Sequence, residues 1–378
     1  MSDTSYSVHI YKDIYNPEIV YNWKRIEDSC DCHPQIYYEW CEPWWRKYSN
    51  GRELHIIAIK NETNNIVAIA PLCIEKSFGI KIIRSIPIRF GDFYSFIIED
   101  GNNSDKIISI ILQYLKSYKE WQVIVLSQIN NKFQIWNHLI KDDFTPKYLT
   151  KIHTAYLENY SFPEYLDKLP KKLRQQFRNR YRKINKLGKL EFECIEDAMG
   201  FKNYINDMKN IYNHRRQDNT LNTPSEKYYS VLNDVVKQLY DKKNLLLFLL
   251  KFNDELIAYR IGTVKDGVYY AWKVSHHPKY NKYYPGMLII GKIVEELINR
   301  KYKKLNFGAG DYDWKRRWAS HELESENYEF IAGYDKVLIV RLYIKYRLKW
   351  RDKLISFYFT LAKWNFIRAI GRKFIKRK

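Results

Sequence analysis

Asp311 and Lys315 stand four residues apart, just after the strand-like run Lys304-Leu305-Asn306-Phe307 and a glycine-flanked turn, Gly308-Ala309-Gly310. Carboxylate and ammonium side chains at such a point can handle a proton or stabilise charge that grows during a reaction. α/β sheets place their ligands at the carboxyl ends of strands, so Asp311, Tyr312, Lys315 and Arg316 are expected at the mouth of a cleft. Upstream, Pro285-Gly286 opens a stretch in which Leu288, Ile289, Ile293, Leu297 and Ile298 lie along one side of a helix. The first-turn N–H groups of a helix point outward unpaired and carry partial positive charge, and Gly286 lets an anionic group come close to them. The amides of Gly286, Met287 and Leu288 are thereby candidates for holding a phosphate. The plainer reading of the same residues is a helix-to-strand connection ending in a surface turn.

The elements that must position these residues have a recurring order. Leu54 to Ile59 reads as a strand, Asn61 to Asn65 as a polar turn and Ile66 to Leu72 as the return strand. A helix follows at Asp105 to Ser117, then the apolar strand Gln122 to Ser127. Later, Asn244 to Phe252, Asn253-Asp254-Glu255 and Leu256 to Thr263 repeat the hairpin, and strand Val268 to Ser275 leads to the helix and strand of the first paragraph. Two such runs imply an internal duplication with a mixed sheet in each half. Ahead of the first hairpin, Gln35 to Ser49 is rich in aromatic residues at helical spacing, with Pro43 starting a new turn.

Between the halves, Lys168 to Lys189 holds ten cations and no acid. Leu166, Leu169, Leu173, Phe177, Tyr181, Ile184 and Leu187 step by three or four, which predicts one amphipathic helix ended by Gly188. An unrelieved run of like charge implies an anionic partner, a cofactor's phosphates or a nucleic-acid backbone; a solvated face is the plainer meaning.

With 378 residues and 46% hydrophobic content the chain can bury a large core, and its length favours two domains. The net charge of +21 is concentrated: Lys336 to Lys378 carries +13 and residues 1–335 carry +8. Charge alone does not choose among nucleic acid, anionic lipid and an anionic substrate. No signal peptide and no long uncharged apolar span is read, so the cytoplasm is the expected compartment. Five cysteines make no disulfide framework here, and Cys30-Asp31-Cys32-His33 lacks a second pair at zinc spacing, so no metal is expected.

The run from Pro285-Gly286 through the helix to LNFGAGDYDWK resembles the C-terminal signature of the CelD-like acyltransferases of the GNAT superfamily, a group related to the Fem-type peptidyl transferases. YYEWCEPWW, IVAIAPL and YLDKLPKKLRQQFRNRYR fall in that family's order, with Arg174 at its characteristic arginine, and the resemblance covers about residues 20–330. It implies an α/β (α+β) fold of two tandem GNAT-like domains, 1–150 and 151–335, each a mixed, mostly antiparallel sheet flanked by helices, followed by a basic helical tail, 336–378. It also implies direct transfer of an acyl group from acyl-CoA to an amine or hydroxyl, with a small-molecule or lipid-linked glycan of the cell envelope as acceptor. In that mechanism Asp311 orients the acceptor or takes its proton, Lys315 stabilises charge and Tyr284 protonates the departing thiolate. Arg174 and Arg178 join the Gly286 amides on the donor's phosphates, and Trp272, His276 and Tyr312 face the acceptor. His276 and His277 are rival bases. A Fem-like transferase using aminoacyl-tRNA and a non-enzymatic basic nucleic-acid or membrane-binding protein stand as alternatives.

In the tail, Tyr343, Tyr346, Trp350, Leu354, Phe357, Leu361 and Trp364 share one helical stripe, with Arg341, Lys345, Lys349 and Lys353 on another face. That composition suits a helix lying in an anionic membrane surface on the inner face of the cell membrane, or one packed on the body with its cations in water.

Overall fold

The computed structural model describes residues 5–77, 79–117, 120–142, 144–216, 226–320, 323–333 and 338–347. The first half runs β1 (Ser7–Tyr11), α1 (Pro17–Ser29), α2 (Tyr38–Tyr48), β2 (Arg52–Leu54), β3 (Ile56–Lys60), β4 (Ile66–Ala70), β5 (Leu72–Ser77) and β6 (Ile80–Ser85). It continues through β7 (Ile97–Ile98), α3 (Ser104–Ser117), β8 (Val123–Asn130), α4 (Gln134–Lys141) and β9 (Thr145–Tyr156). Helices α5 (Phe162–Lys168) and α6 (Lys171–Asn185) then lead to β10 (Leu190–Ile195), α7 (Ala198–Arg216), α8 (Glu226–Asp241), β11 (Leu245–Phe252), β12 (Glu255–Lys265) and β13 (Val268–His276). The second half ends with α9 (Pro285–Asn299), β14 (Lys304–Ala309), α10 (Asp313–Trp318), β15 (Ser325–Gly333) and α11 (Leu338–Lys345).

The element order repeats. β1 corresponds to β10, α1 and α2 to α7 and α8, β6 to β13, α3 to α9, β8 to β14 and β9 to β15, each pair about 180 residues apart. Within one eleven-stranded sheet the order is β10-β11-β12-β13-β14-β9-β15-β8-β6-β5-β2. The final strands are exchanged: β9 of the first half pairs with β14 of the second, and β15 of the second pairs with β8 of the first. β9 and β15 pair with each other at the centre. Residue 150 lies inside β9.

Two differences from the sequence reading have local causes. The basic segment is two helices and not one, because Pro170 offers no amide hydrogen and restricts Leu169, so α5 stops there and α6 starts afresh. Pro43 does not start a turn; α2 runs through it without interruption. The Cys30 to His33 segment is a loop, as expected, with Cys30 and Cys32 disulfide-linked and the His33 ring stacked on Phe93 at 4.3 Å.

The largest core unites the halves, joining Trp23, Trp40 and Trp44 of α1 and α2 to Val235, Val236 and Leu239 of α8. A second core, on α5, α6 and α9, supports the site: Phe177 packs where Gly291 leaves room, since a Cβ at Gly291 would run into its ring. Of the tail, α11 packs on the body, with Val340 and Tyr343 buried against Ile82, Val123 and Ile331. Trp350, Leu354, Phe357, Leu361, Trp364, Lys349 and Lys353 lie outside the described residues. Among the described residues, no helix is long and apolar enough to cross a membrane.

Candidate active site

β13 and β14 pair in parallel only from Val268–Tyr270 to Lys304–Asn306, and beyond that point they diverge. Into the gap comes the start of α9, whose N-cap Tyr284 holds a left-handed backbone, φ 58° and ψ 52°. The result is a cavity of about 620 Å³ lined by Arg260, His276, Tyr284, Gly286, Met287 and Trp314, with Leu173 and Gln176 of α6 closing one side.

Arg260 is the most informative of these side chains. It is 1% exposed, and its Nε and Nη1 have no hydrogen-bond partner among the described residues. The guanidinium sits 5.2 Å from the Trp314 ring centre and 5.9 Å from that of Phe307. Burial lowers its pKa to about 10. A buried cation bounded by aromatic faces and lacking a carboxylate is costly unless an anion completes it.

At the helix start, the Met287 and Leu288 amides donate to the Tyr284 carbonyl at 3.0 and 3.2 Å. Gly286 is therefore the first-turn amide best placed for a ligand. A Cβ at Gly286 would lie 3.5 Å from His276 Nδ1, which places the imidazole next to the helix start. Arg180 stacks on the Tyr284 ring at 4.5 Å, which puts one cation of α6 at the rim.

At the end of β14, Gly308 has φ +71°, and a Cβ there would run into the Ala271 carbonyl oxygen. The turn is held from both halves: Asp92 Oδ2 accepts from the Ala309 amide at 3.2 Å, and Asn306 Oδ1 accepts from the Gly308 amide at 2.9 Å. Lys315 is buried and donates to the Gly308 and Ala309 carbonyls at 2.8 and 2.7 Å. Burial, then the neighbouring Arg260, pulls its pKa down to about 7. Asp311 accepts from Arg316 Nη1 at 2.7 Å and from His153 Nε2 at 2.9 Å. The His153 hydrogen bond is the first cause holding the Asp311 carboxyl below its usual range. His153 is fully buried, and its Nδ1 lies 3.2 Å from Glu324 Oε1.

The structure thus gathers Tyr284, Gly286, Met287 and His276 in one cavity, with Lys315 behind it and Asp311 on the adjoining turn. Tyr312 is exposed, its ring 5.5 Å from Lys315 Nζ. Leu288 is wholly buried in the core. Arg174 and Arg178 are not brought in: both face Asp167, at 2.8 and 3.7 Å. Trp272 packs instead on Trp40 and Phe90, with ring centres 4.4 and 5.3 Å away. His277 lies outside the cavity, its Nδ1 accepting from the Lys279 amide at 3.2 Å. Sequence reasoning missed Arg260, Arg180, Asp92 and His153. Arg260 had a signal, a lone cation in the apolar run Leu256 to Val264.

Residues 171–316 match the family described as Acetyltransferase (GNAT) domain. No curated protein matches the sequence. Among solved structures, FemX shares the fold with a TM-score of 0.60 and 10% identity, over 87% of this chain and 97% of that one. The C-terminal domain (DUF2156) of a putative lysylphosphatidylglycerol synthetase from Agrobacterium fabrum is similar at a TM-score of 0.53 and 10% identity, over 82% and 91%. A tandem GNAT protein from the clavulanic acid biosynthesis pathway is similar at 0.50 and 7%, over 87% and 98%. At these identities the likeness is one of fold. Residues 171–316 therefore match a GNAT domain, and the chain as a whole shares its fold with FemX and with a tandem GNAT protein.

Proposed function

We propose that the chain transfers an acyl group from acyl-CoA to an amine or hydroxyl acceptor, such as a cell-envelope or polysaccharide precursor. The observation that carries this reading is the cavity between β13 and β14, where the unpartnered Arg260 guanidinium and the start of α9 meet. The Gly286 amide and Arg180 suit the donor's phosphates, and Arg260 suits negative charge forming deeper in the cavity.

Lys315 serves as proton acceptor in this proposal. An ammonium uses two of its three N–H bonds on the Gly308 and Ala309 carbonyls; the neutral amine keeps both and has its lone pair free. Asp311, held ionised by His153 and Arg316, is suited to orient the acceptor. Tyr284, at the rim, is suited to give a proton to the departing thiolate.

The melting temperature of the purified chain with and without CoA tests this. Ligand at about a hundred times its Kd adds roughly 2.7 kcal/mol, a rise of several degrees. No rise at high CoA removes the thioester donor and brings forward an aminoacyl-tRNA donor. That second reading is favoured by the exposed basic face of α6, which carries Lys171, Lys172, Arg178, Arg182, Lys183 and Lys186.

A further inference from the structure

The first half has its own cleft, at the place that the internal repeat relates to the candidate active site. β6 and β8 pair in parallel from Ile82–Arg84 to Val123–Val125 and then part, as β13 and β14 do. Two connected spaces open there, of about 280 and 480 Å³, with Arg84, Ile88, Arg89 and Arg347 common to both.

The charge of this cleft is unbalanced. Four arginines line it, Arg52, Arg84, Arg89 and Arg347, against two carboxylates, Glu75 and Glu329. Arg84 and Arg347 are 7% and 5% exposed. Arg84 Nε is 2.6 Å from Glu75 Oε1, and its Nη2 donates to Tyr343 at 2.8 Å. Arg347 pairs with Glu329, which also accepts from Ser127 at 2.6 Å, while Arg347 Nε is buried without a hydrogen-bond acceptor among the described residues. After burial, Arg347 is the next cause lowering the Arg84 pKa, so the two guanidiniums repel across the cleft. Arg89 stands exposed on the rim in a left-handed backbone, φ 58°, with no ion pair among the described residues. The wall opposite is aromatic, with Trp44, Tyr48 and Tyr228.

We infer that this cleft binds a phosphate ester, its phosphate between Arg84, Arg89 and Arg347 and its organic part on the aromatic wall. Guanidinium forks match phosphate oxygens with paired hydrogen bonds, and a dianion relieves both the repulsion and the unmade bond at Arg347. Because Arg347 follows β15, the site is complete only when the end of the second half is docked on the first. The inference does not rest on CoA binding to the other cavity.

The test is calorimetric titration of the full-length chain with inorganic pyrophosphate, repeated with saturating CoA, and for Arg89→Ala and Arg84→Gln. Saturable binding that survives CoA and weakens about tenfold in Arg89→Ala supports the site. Arg89 is exposed, so that variant does not depend on repacking the interior. Absence of binding overturns the site, as does binding abolished by CoA or unchanged in both variants. Sedimentation with phosphatidylglycerol vesicles then separates two sources. Vesicle binding that pyrophosphate competes away, and that Arg89→Ala weakens, assigns a lipid phosphate. Pyrophosphate binding with no such competition assigns a soluble phosphate ester.

Discussion

His153 Nε2 lies 2.9 Å from Asp311 Oδ1 across a sequence separation of 158 residues, so a first-half strand sets the position of a second-half carboxylate. The imidazole is fully buried and has Glu324 on its other side. His153→Gln should lower turnover with little change in the Michaelis constant for the donor, because it leaves Asp311 held by Arg316 alone and leaves the cavity intact. Glu324 keeps its pair with Lys151 at 3.3 Å, so stability should fall by no more than about 1 kcal/mol. Separate measurement of kcat and KM, alongside chemical denaturation, checks both effects.

Lys315 fixes the expected pH dependence. If its neutral amine takes the acceptor's proton, the rate should climb as pH rises through about 7 and fall below it. Stability follows the same group. Its folded pKa lies below the unfolded value of 10.5, so the unfolded chain binds more protons between about 7 and 10.5, and stability rises with pH there. Lys315→Met should remove both trends and reduce turnover by about a hundredfold or more. Near-normal turnover in this variant and in Asp311→Asn would remove the site assignment.

Gly308→Ala tests the turn that carries these residues. The left-handed backbone and the Ala271 carbonyl both oppose a side chain there. A loss of about 1–3 kcal/mol is expected, with activity falling further than stability at a temperature where the variant is folded.

The strand exchange predicts that the halves are not independent. Cut between β9 and α5, neither fragment should give a cooperative thermal transition alone, since β8 and β14 would each lose a partner. Mixing the fragments during refolding should restore one.

For the tail, removal at residue 335 takes Val340 and Tyr343 out of a core cluster, whereas removal after 347 leaves that cluster whole. The chain ending at 335 should melt at a lower temperature, and the chain ending at 347 should keep the melting temperature of the full chain. Membrane binding by residues 348–378 is then read cleanly: if the chain ending at 347 sediments with anionic vesicles as well as the full chain does, the tail is not the anchor.

The hairpins, α3, β8, β13, α9 and β14 were legible in the sequence because their signals are local, whereas β9 and β15, the exchanged strands, were not read. The hairpins had polar turns between apolar runs, α9 had its stripe and Pro285, and β14 had its glycines. The misplaced residues share a different cause. Alternation along β13 would put Trp272 on the same face as Val274 and His276, but the register shifts where β12 passes from Ile261 to Gly262, and Trp272 ends on the other core. Gly262 inside a strand pattern is the trace such a bulge leaves. Arg174 and Arg178 were assigned from the run of positive charge and the family resemblance; in the structure Phe177 docks on α9 at Gly291, the two arginines face Asp167, and Arg180 is the cation that meets Tyr284. His153 had no readable signal, because its role depends on a strand pairing between halves.

The exchanged strands also set a schedule for synthesis. Asn130 on β8 finds its partner Asn327 on β15 only 197 residues later in the chain. At typical elongation rates the first half spends roughly 10–40 s with the edge of β8 unsatisfied. That edge is apolar, with Val123, Ile124, Val125 and Leu126 all buried in the finished fold, and such an edge is prone to pair with another chain. The nascent protein should therefore depend on holding chaperones, and its soluble yield should improve when translation beyond β9 is fast.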